Sequence, residues 1–85
     1  MVDAFRSLGC SVLSLAALGK GVPDLLVAIN GNTTLIEIKS GNGKENDLQI
    51  KWAADWKGAR SVVWTTQDAA NVVKLMRSSI KNDNG

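Results

Sequence analysis

Eighty-five residues, 45% hydrophobic and carrying a net charge of +2, describe one small domain of ordinary globular composition, and so slight a charge does not by itself argue for nucleic acid. A single cysteine, Cys10, excludes an internal disulfide framework and a cysteine-based zinc knuckle, and the lack of histidine excludes imidazole ligands and a histidine-dependent triad. Any catalysis is left to carboxylate, lysine and metal.

In chain order, Val2, Phe5 and Leu8 share one face of a short helix over Val2–Leu8, stopped by Gly9. Cys10–Leu15 alternates as a strand does, and Ala16–Val22, with Gly19 and Gly21, reads as a flexible loop in which Lys20 could touch a phosphate. Leu8–Leu18 has some of the apolarity of a signal-peptide core, but Asp3, Gly9 and the serines interrupt it. A cytoplasmic, unsecreted chain is expected, and no run approaches the roughly 20 apolar residues of a membrane-spanning helix.

Two apolar runs then flank Asn30-Gly31, the pair that favours a two-residue type I′ turn because both positions need a positive φ. The runs are Asp24–Ile29 and Thr33–Lys39, and such a turn sets Ile29 opposite Asn32, Val27 opposite Thr34 and Asp24 opposite Glu37. Asp24, Glu37 and Lys39 then point to one side of the hairpin end. Like charges placed opposite each other destabilise a sheet, so something positive belongs between them. Lys39 supplies one charge, and Mg²⁺, with its taste for one or two carboxylates plus water and phosphate, suits the rest. A solvated charge cluster at an exposed hairpin end satisfies the same spacing.

Ser40–Glu45 forms a loop whose Gly41 and Gly43 let backbone approach a ligand closely. Asn46 suits an N-cap, and Leu48, Trp52, Ala53 and Trp56 follow the spacing of an amphipathic helix that runs to Lys57 and closes on Gly58. Trp52 and Trp56 read as core packing rather than as stacking partners for bases. Gln49 faces inward on the first turn, either as a capping-box partner of Asn46 or as a group that orients Lys39. Arg60–Thr65 reads as a strand, and Thr65 with Asp68 as a capping box for a last helix. That helix turns Ala69, Val72, Val73, Met76 and Ile80 to the core and Lys74, Arg77 and Lys81 to water. Residues 1–81 are expected to form one domain, with Asn82–Gly85 as a frayed tail. The predicted order is αβββαβα, a mixed sheet with helices on its faces, an α/β fold.

Pro23-Asp24 followed by Glu37-Ile38-Lys39 matches the PD-(D/E)xK signature of the restriction-endonuclease-like superfamily. Gly21-Val22-Pro23-Asp24-Leu25, Ile36-Glu37-Ile38-Lys39-Ser40-Gly41, Lys44 and Gln49 narrow it: from about Ser7 to about Met76 the chain resembles the virus-type replication-repair nuclease (VRR-NUC) branch. The resemblance implies a restriction-endonuclease-like core and a deoxyribonuclease that hydrolyses phosphodiesters to 5′-phosphate and 3′-hydroxyl ends. It implies Mg²⁺ or Mn²⁺ held by Asp24, Glu37 and the Ile38 carbonyl, with Lys39 orienting or deprotonating water and Gln49 steadying Lys39. Lys20, Ser40 and Lys44 would meet DNA, the substrate would be branched, as in Holliday junctions or flaps, and the protein would be a homodimer. The alternative is a catalytically weak or inactive junction-binding module of the same fold. One feature departs from the family: its further glutamate, on a longer N-terminal helix, has no counterpart here beyond Asp3.

Overall fold

In the computed structural model, which describes residues 1–78, the hairpin forms in the register its turn requires. Asn30 and Gly31 both take positive φ, 53° and 79°. Strands β2 (Leu25–Ile29) and β3 (Asn32–Ile38) pair antiparallel with Ile29 opposite Asn32, Val27 opposite Thr34 and Leu25 opposite Ile36. The Asp24 backbone N–H donates to the Ile36 carbonyl at 2.9 Å, which carries the ladder one residue past the strand end.

Strand β1 (Ser11–Ser14) pairs antiparallel with β2, and β4 (Arg60–Val63) runs parallel to β3, giving a mixed sheet ordered β1-β2-β3-β4. A parallel partner needs a crossover. Helix α2 (Asp47–Asp55) supplies it, while α1 (Val2–Ser7) and α3 (Thr66–Ser78) flank the sheet. The element order is the αβββαβα that the periodicities predict, with one 3₁₀ turn, Ala16–Leu18, inside the loop expected to be irregular. The predicted core position Ile80, the polar-face Lys81 and the tail Asn82–Gly85 lie outside the described residues. No helix among the described residues is long and apolar enough to cross a membrane.

The core lies on one face of the sheet. Leu25, Val27, Ile29, Ile36 and Val63 meet Phe5 of α1 and Ala69, Val73 and Met76 of α3, the last three spaced by four and three residues along one helical stripe. Cross-links hold this layer: the Asn32 amide donates to the Met76 carbonyl at 2.6 Å, and Arg77 donates to the Leu8 carbonyl at 2.9 Å, so Arg77 does more than face water. The capping box at the start of α3 is present. Thr65 Oγ1 accepts from the Asp68 N–H at 3.1 Å, and the Asp68 carboxylate accepts from the Trp64 and Thr65 N–H groups, which hold its pKa below the usual value.

The opposite face departs from expectation. Trp52 and Trp56 were expected in the core, yet α2 has no buried residue, and Trp56 and Leu48 are 43% and 59% exposed. Two physical reasons are visible. Nine residues make only about 2.5 turns, too few to lay an apolar stripe along a sheet when the N-terminus is already fixed by polar contacts. The two indoles also satisfy each other, stacked with centroids 5.1 Å apart and planes 21° off parallel, and the Trp56 indole N–H donates to the Ala59 carbonyl. The helix therefore stops at Asp55, two residues before the predicted end at Lys57, and Gly58 is not its left-handed cap. Gly58 instead lies under the Trp56 ring, where an added Cβ would sit 3.0 Å from three ring atoms.

Candidate active site

Asp24 leaves the buried Pro23 and stands just before β2, where its Oδ2 accepts from the Ile38 backbone N–H at 2.8 Å. That bond clamps the two strand ends together across the hairpin. Glu37, one residue before Ile38, is only 2% exposed, although it carries a carboxylate. Its Oε2 accepts from the Gln49 side-chain N–H at 3.0 Å, and its Oε1 is buried with no N–H or hydroxyl donor to accept from, so that the Asp24 carboxyl, itself an acceptor, can bond to Glu37 only through a shared proton. Burial, followed by the hydrogen-bonding and charge of the neighbouring Asp24 carboxyl, pushes the Glu37 pKa up to about 7, against the opposing pull of Lys39 and Arg60.

Gln49 connects the parts. Its Oε1 accepts from Lys39 Nζ at 2.5 Å and from the Asn46 backbone N–H at 2.9 Å, while its Nε2 donates to Glu37. Two donors on one side and a carboxylate on the other admit only this orientation of the amide. The Asn46 side chain accepts in return from the Gln49 backbone N–H at 2.9 Å, completing the capping box of α2. Both readings of Gln49 hold at once: it caps the helix and holds the lysine.

The loop before β2 is cut to fit this helix start. Gly21 takes φ 84°, and an added Cβ would lie 2.3 Å from the Leu48 carbonyl oxygen and 3.0 Å from the Gln49 nitrogen. Gly21→Ala is expected to push the first turn of α2 off the site and to cost roughly 1–3 kcal/mol in a denaturant melt, from overpacking and backbone strain together. Unchanged stability would show that this approach is not tight.

Lys39 makes no direct ion pair with the carboxylates, although its charge is felt at Glu37. Among the described residues the one ion pair within 4 Å joins Arg60 to Glu45, and Lys39 reaches Glu37 only through Gln49. Lys20, at φ 54°, and Ser40 and Lys44 are exposed on the two loops that approach the α2 N-terminus. Asp3 is exposed in the first turn of α1, and no hydrogen bond or ion pair among the described residues joins it to Asp24 or Glu37. The structure thus brings Asp24, Glu37, Ile38, Lys39 and Gln49 together and leaves Asp3 apart. Glu45 and Arg60 were missed, because they become neighbours only through the parallel β3–β4 register, which no local spacing reveals.

The donor set suits a hard divalent cation. Two carboxylates share the hairpin end and an unpartnered buried carboxylate oxygen waits on one of them, a defect that either a shared proton or a cation cures. Among the described residues no group of three acidic, histidine or cysteine side chains assembles, so a cation held here would take the rest of its coordination from backbone carbonyl, water and substrate oxygen, as Mg²⁺ tolerates and structural zinc does not. A separate cavity of about 270 Å³ opens between α3 and the starts of β3 and β4, among Thr33, Thr34, Ser61, Val72 and Leu75. Its lining carries no titratable side chain, and it sits at the opposite end of β3 from Lys39. The free thiol of Cys10 is buried, which raises its pKa and keeps it from acting as a nucleophile.

Compared with protein-family models, curated proteins and solved structures, the chain matches none.

Proposed function

We propose that this chain is a Mg²⁺- or Mn²⁺-dependent deoxyribonuclease with a restriction-endonuclease-like core, of the virus-type replication-repair nuclease kind, acting on branched DNA. The observation that carries the reading is the Gln49 bridge, which ties Lys39 to Glu37 beside Asp24 at one hairpin end. A charge cluster of no consequence has no reason to bury an unpaired carboxylate oxygen.

Asp24, Glu37 and the Ile38 carbonyl would hold the cation, which when bound supplies Lewis acidity at a non-bridging phosphate oxygen and an acidified water. The chain's own contribution is positional. Gln49 fixes the Lys39 ammonium at 2.5 Å, so that its donors face the water that attacks phosphorus and the charge that develops there. Water oxygen forms the new P–O bond and the bond to the 3′ oxygen breaks, leaving a 5′-phosphate and a 3′-hydroxyl. Exposed Lys20, Ser40 and Lys44 flank this position and would meet the DNA backbone. The resemblance further implies a homodimer. Sedimentation of the protein across a concentration series tests it.

A second reading has its own observation. With Asp3 exposed and outside the carboxylate pair, no third acidic side chain joins the site among the described residues, as a junction-binding module without turnover would have it. One assay separates the two. A labelled four-way junction and its linear duplex are incubated with Mg²⁺, Mn²⁺ or EDTA, alongside a Lys39→Ala control. Metal-dependent cutting that Lys39→Ala abolishes is the expected result; junction bound but intact in every lane favours the module.

A further inference from the structure

Among the described residues, two buried side-chain atoms have no hydrogen-bond partner, and they have opposite character: the acceptor Glu37 Oε1 and the donor Arg60 Nε. Leaving such a group unpaired forfeits its hydration with nothing in return, so each calls for a reason. Both belong to the same face of the sheet. Across the parallel ladder Arg60 pairs with Leu35 and Val62 with Glu37, which puts Arg60 two residues behind the partner of Glu37 with its side chain on the same side. The two atoms nevertheless do not satisfy each other.

The Arg60 side chain is 16% exposed, and one arm of its guanidinium, Nη2, is taken by Glu45 Oε2. Glu45 directly precedes Asn46, whose backbone N–H donates to the same Gln49 oxygen that holds Lys39. The guanidinium is thereby tied to the chain one residue before Asn46, which joins the Gln49 bridge to Lys39 and Glu37. Arg60 also pulls on the Glu37 proton equilibrium, in keeping with that placement.

We propose that Arg60 is a phosphate-binding residue of this site and that the Glu45 carboxylate occupies it in the absence of DNA. The proposal rests on the phosphodiesterase reading above and extends it to the ligand of a residue outside the motif. A guanidinium presents its five donors as a planar fork that phosphate fills two at a time, whereas Glu45 takes one arm and leaves Nε bare. A DNA phosphate exchanged for Glu45 supplies the missing acceptor. Glu45 is free to yield: its side chain is 26% exposed, and the loop before it contains Gly41, at φ 55°, and Gly43. Arg60 then grips the backbone from the β4 side while Lys39 and the carboxylates address the scissile bond.

The test compares wild type with Glu45→Gln, Arg60→Ala and Arg60→Lys. Binding of a fluorescent four-way junction is measured in EDTA over a salt series, cleavage is measured in Mg²⁺, and each variant is melted. Arg60→Ala should weaken binding roughly tenfold and reduce the slope of log affinity against log salt by about 1. Glu45→Gln should tighten binding several-fold, because the guanidinium no longer has to be released. Arg60→Lys, which keeps the charge without the fork, should fall between wild type and Arg60→Ala, and it carries the comparison if Arg60→Ala does not fold. Should Glu45→Gln and Arg60→Lys shift affinity in the same direction, in step with lost melting temperature, the pair is a strut and the proposal is overturned. Wild-type protein that binds and cuts, with variants indistinguishable from it, removes this proposal alone. Wild-type protein that neither binds nor cuts removes the phosphodiesterase reading and this proposal with it.

Discussion

Lowering the pH from about 8 to about 5 is expected to stabilise the metal-free protein, by on the order of 3 kcal/mol, because Glu37 is held in its protonated form by the fold. Its pKa rises from 4.5 to about 7, chiefly through burial and the Asp24 carboxyl beside it. Below 4.5 the folded and unfolded chains both carry the proton and the fold bears no cost. Between 4.5 and about 7 the unfolded chain has released it while the folded chain retains it, so stability falls as pH rises, and the loss is complete above the folded value. Asp68 works the other way, but its pKa is lowered from 3.8, so its contribution is lost only below this window. Glu37→Gln should flatten the profile and raise the melting temperature at about pH 8, because the amide carries no charge to bury. Mg²⁺ should raise the wild-type melting temperature at that pH and not that of Glu37→Gln, a ligand of the native state acting by mass action. Melting curves across the pH range, with and without Mg²⁺, check all three. A flat wild-type profile would falsify the view that Glu37 is a strained, proton-holding carboxylate.

Gln49→Leu is expected to cut turnover roughly 10–100-fold while leaving substrate affinity nearly unchanged, the scale on which groups that orient ligands and catalytic side chains act. The substitution frees Lys39 Nζ, leaves Glu37 Oε2 without its donor and breaks one half of the α2 capping box. A helix-stability effect alone is separable from this. Asn46→Ala removes the other half of the box, the acceptor for the Gln49 N–H, without touching the Gln49 side-chain bonds to Lys39 and Glu37. Each variant should lose about 1 kcal/mol with its half of the cap, Gln49→Leu losing more because Glu37 Oε2 is stripped of its donor, yet only Gln49→Leu should lose most of its activity. Equal losses of activity would assign Gln49 to the cap alone.

The hairpin was legible because its information is local: Asn30-Gly31 dictates the turn, the turn dictates the register, and period-two alternation places Asp24, Glu37 and Lys39 on one side. Gln49 was legible for the same kind of reason, its angle on a 3.6-residue helix beginning at Asn46. What failed was knowledge of what covers a surface. The stripe of Leu48, Trp52 and Trp56 says that α2 has an apolar side, but whether the sheet takes it depends on helix length and anchoring, and here the indoles found each other. Arg60 and Glu45 were invisible because a parallel strand reached through a crossover has no turn to fix its register in advance.

The stacked indoles also have an optical consequence. Trp52 rides on the same short helix as Gln49 and Trp56 follows directly on its end, and their rings are close enough for their excited states to couple. Near-ultraviolet circular dichroism of the unlabelled protein therefore carries a signature of how that helix is seated, against a background from Trp64 on the other side of the crossover. A proton taken up at Glu37, or a cation or DNA bound there as proposed, would act on that helix through Gln49 and should be written directly into that spectrum, giving a continuous, label-free readout of events at the carboxylates in solution.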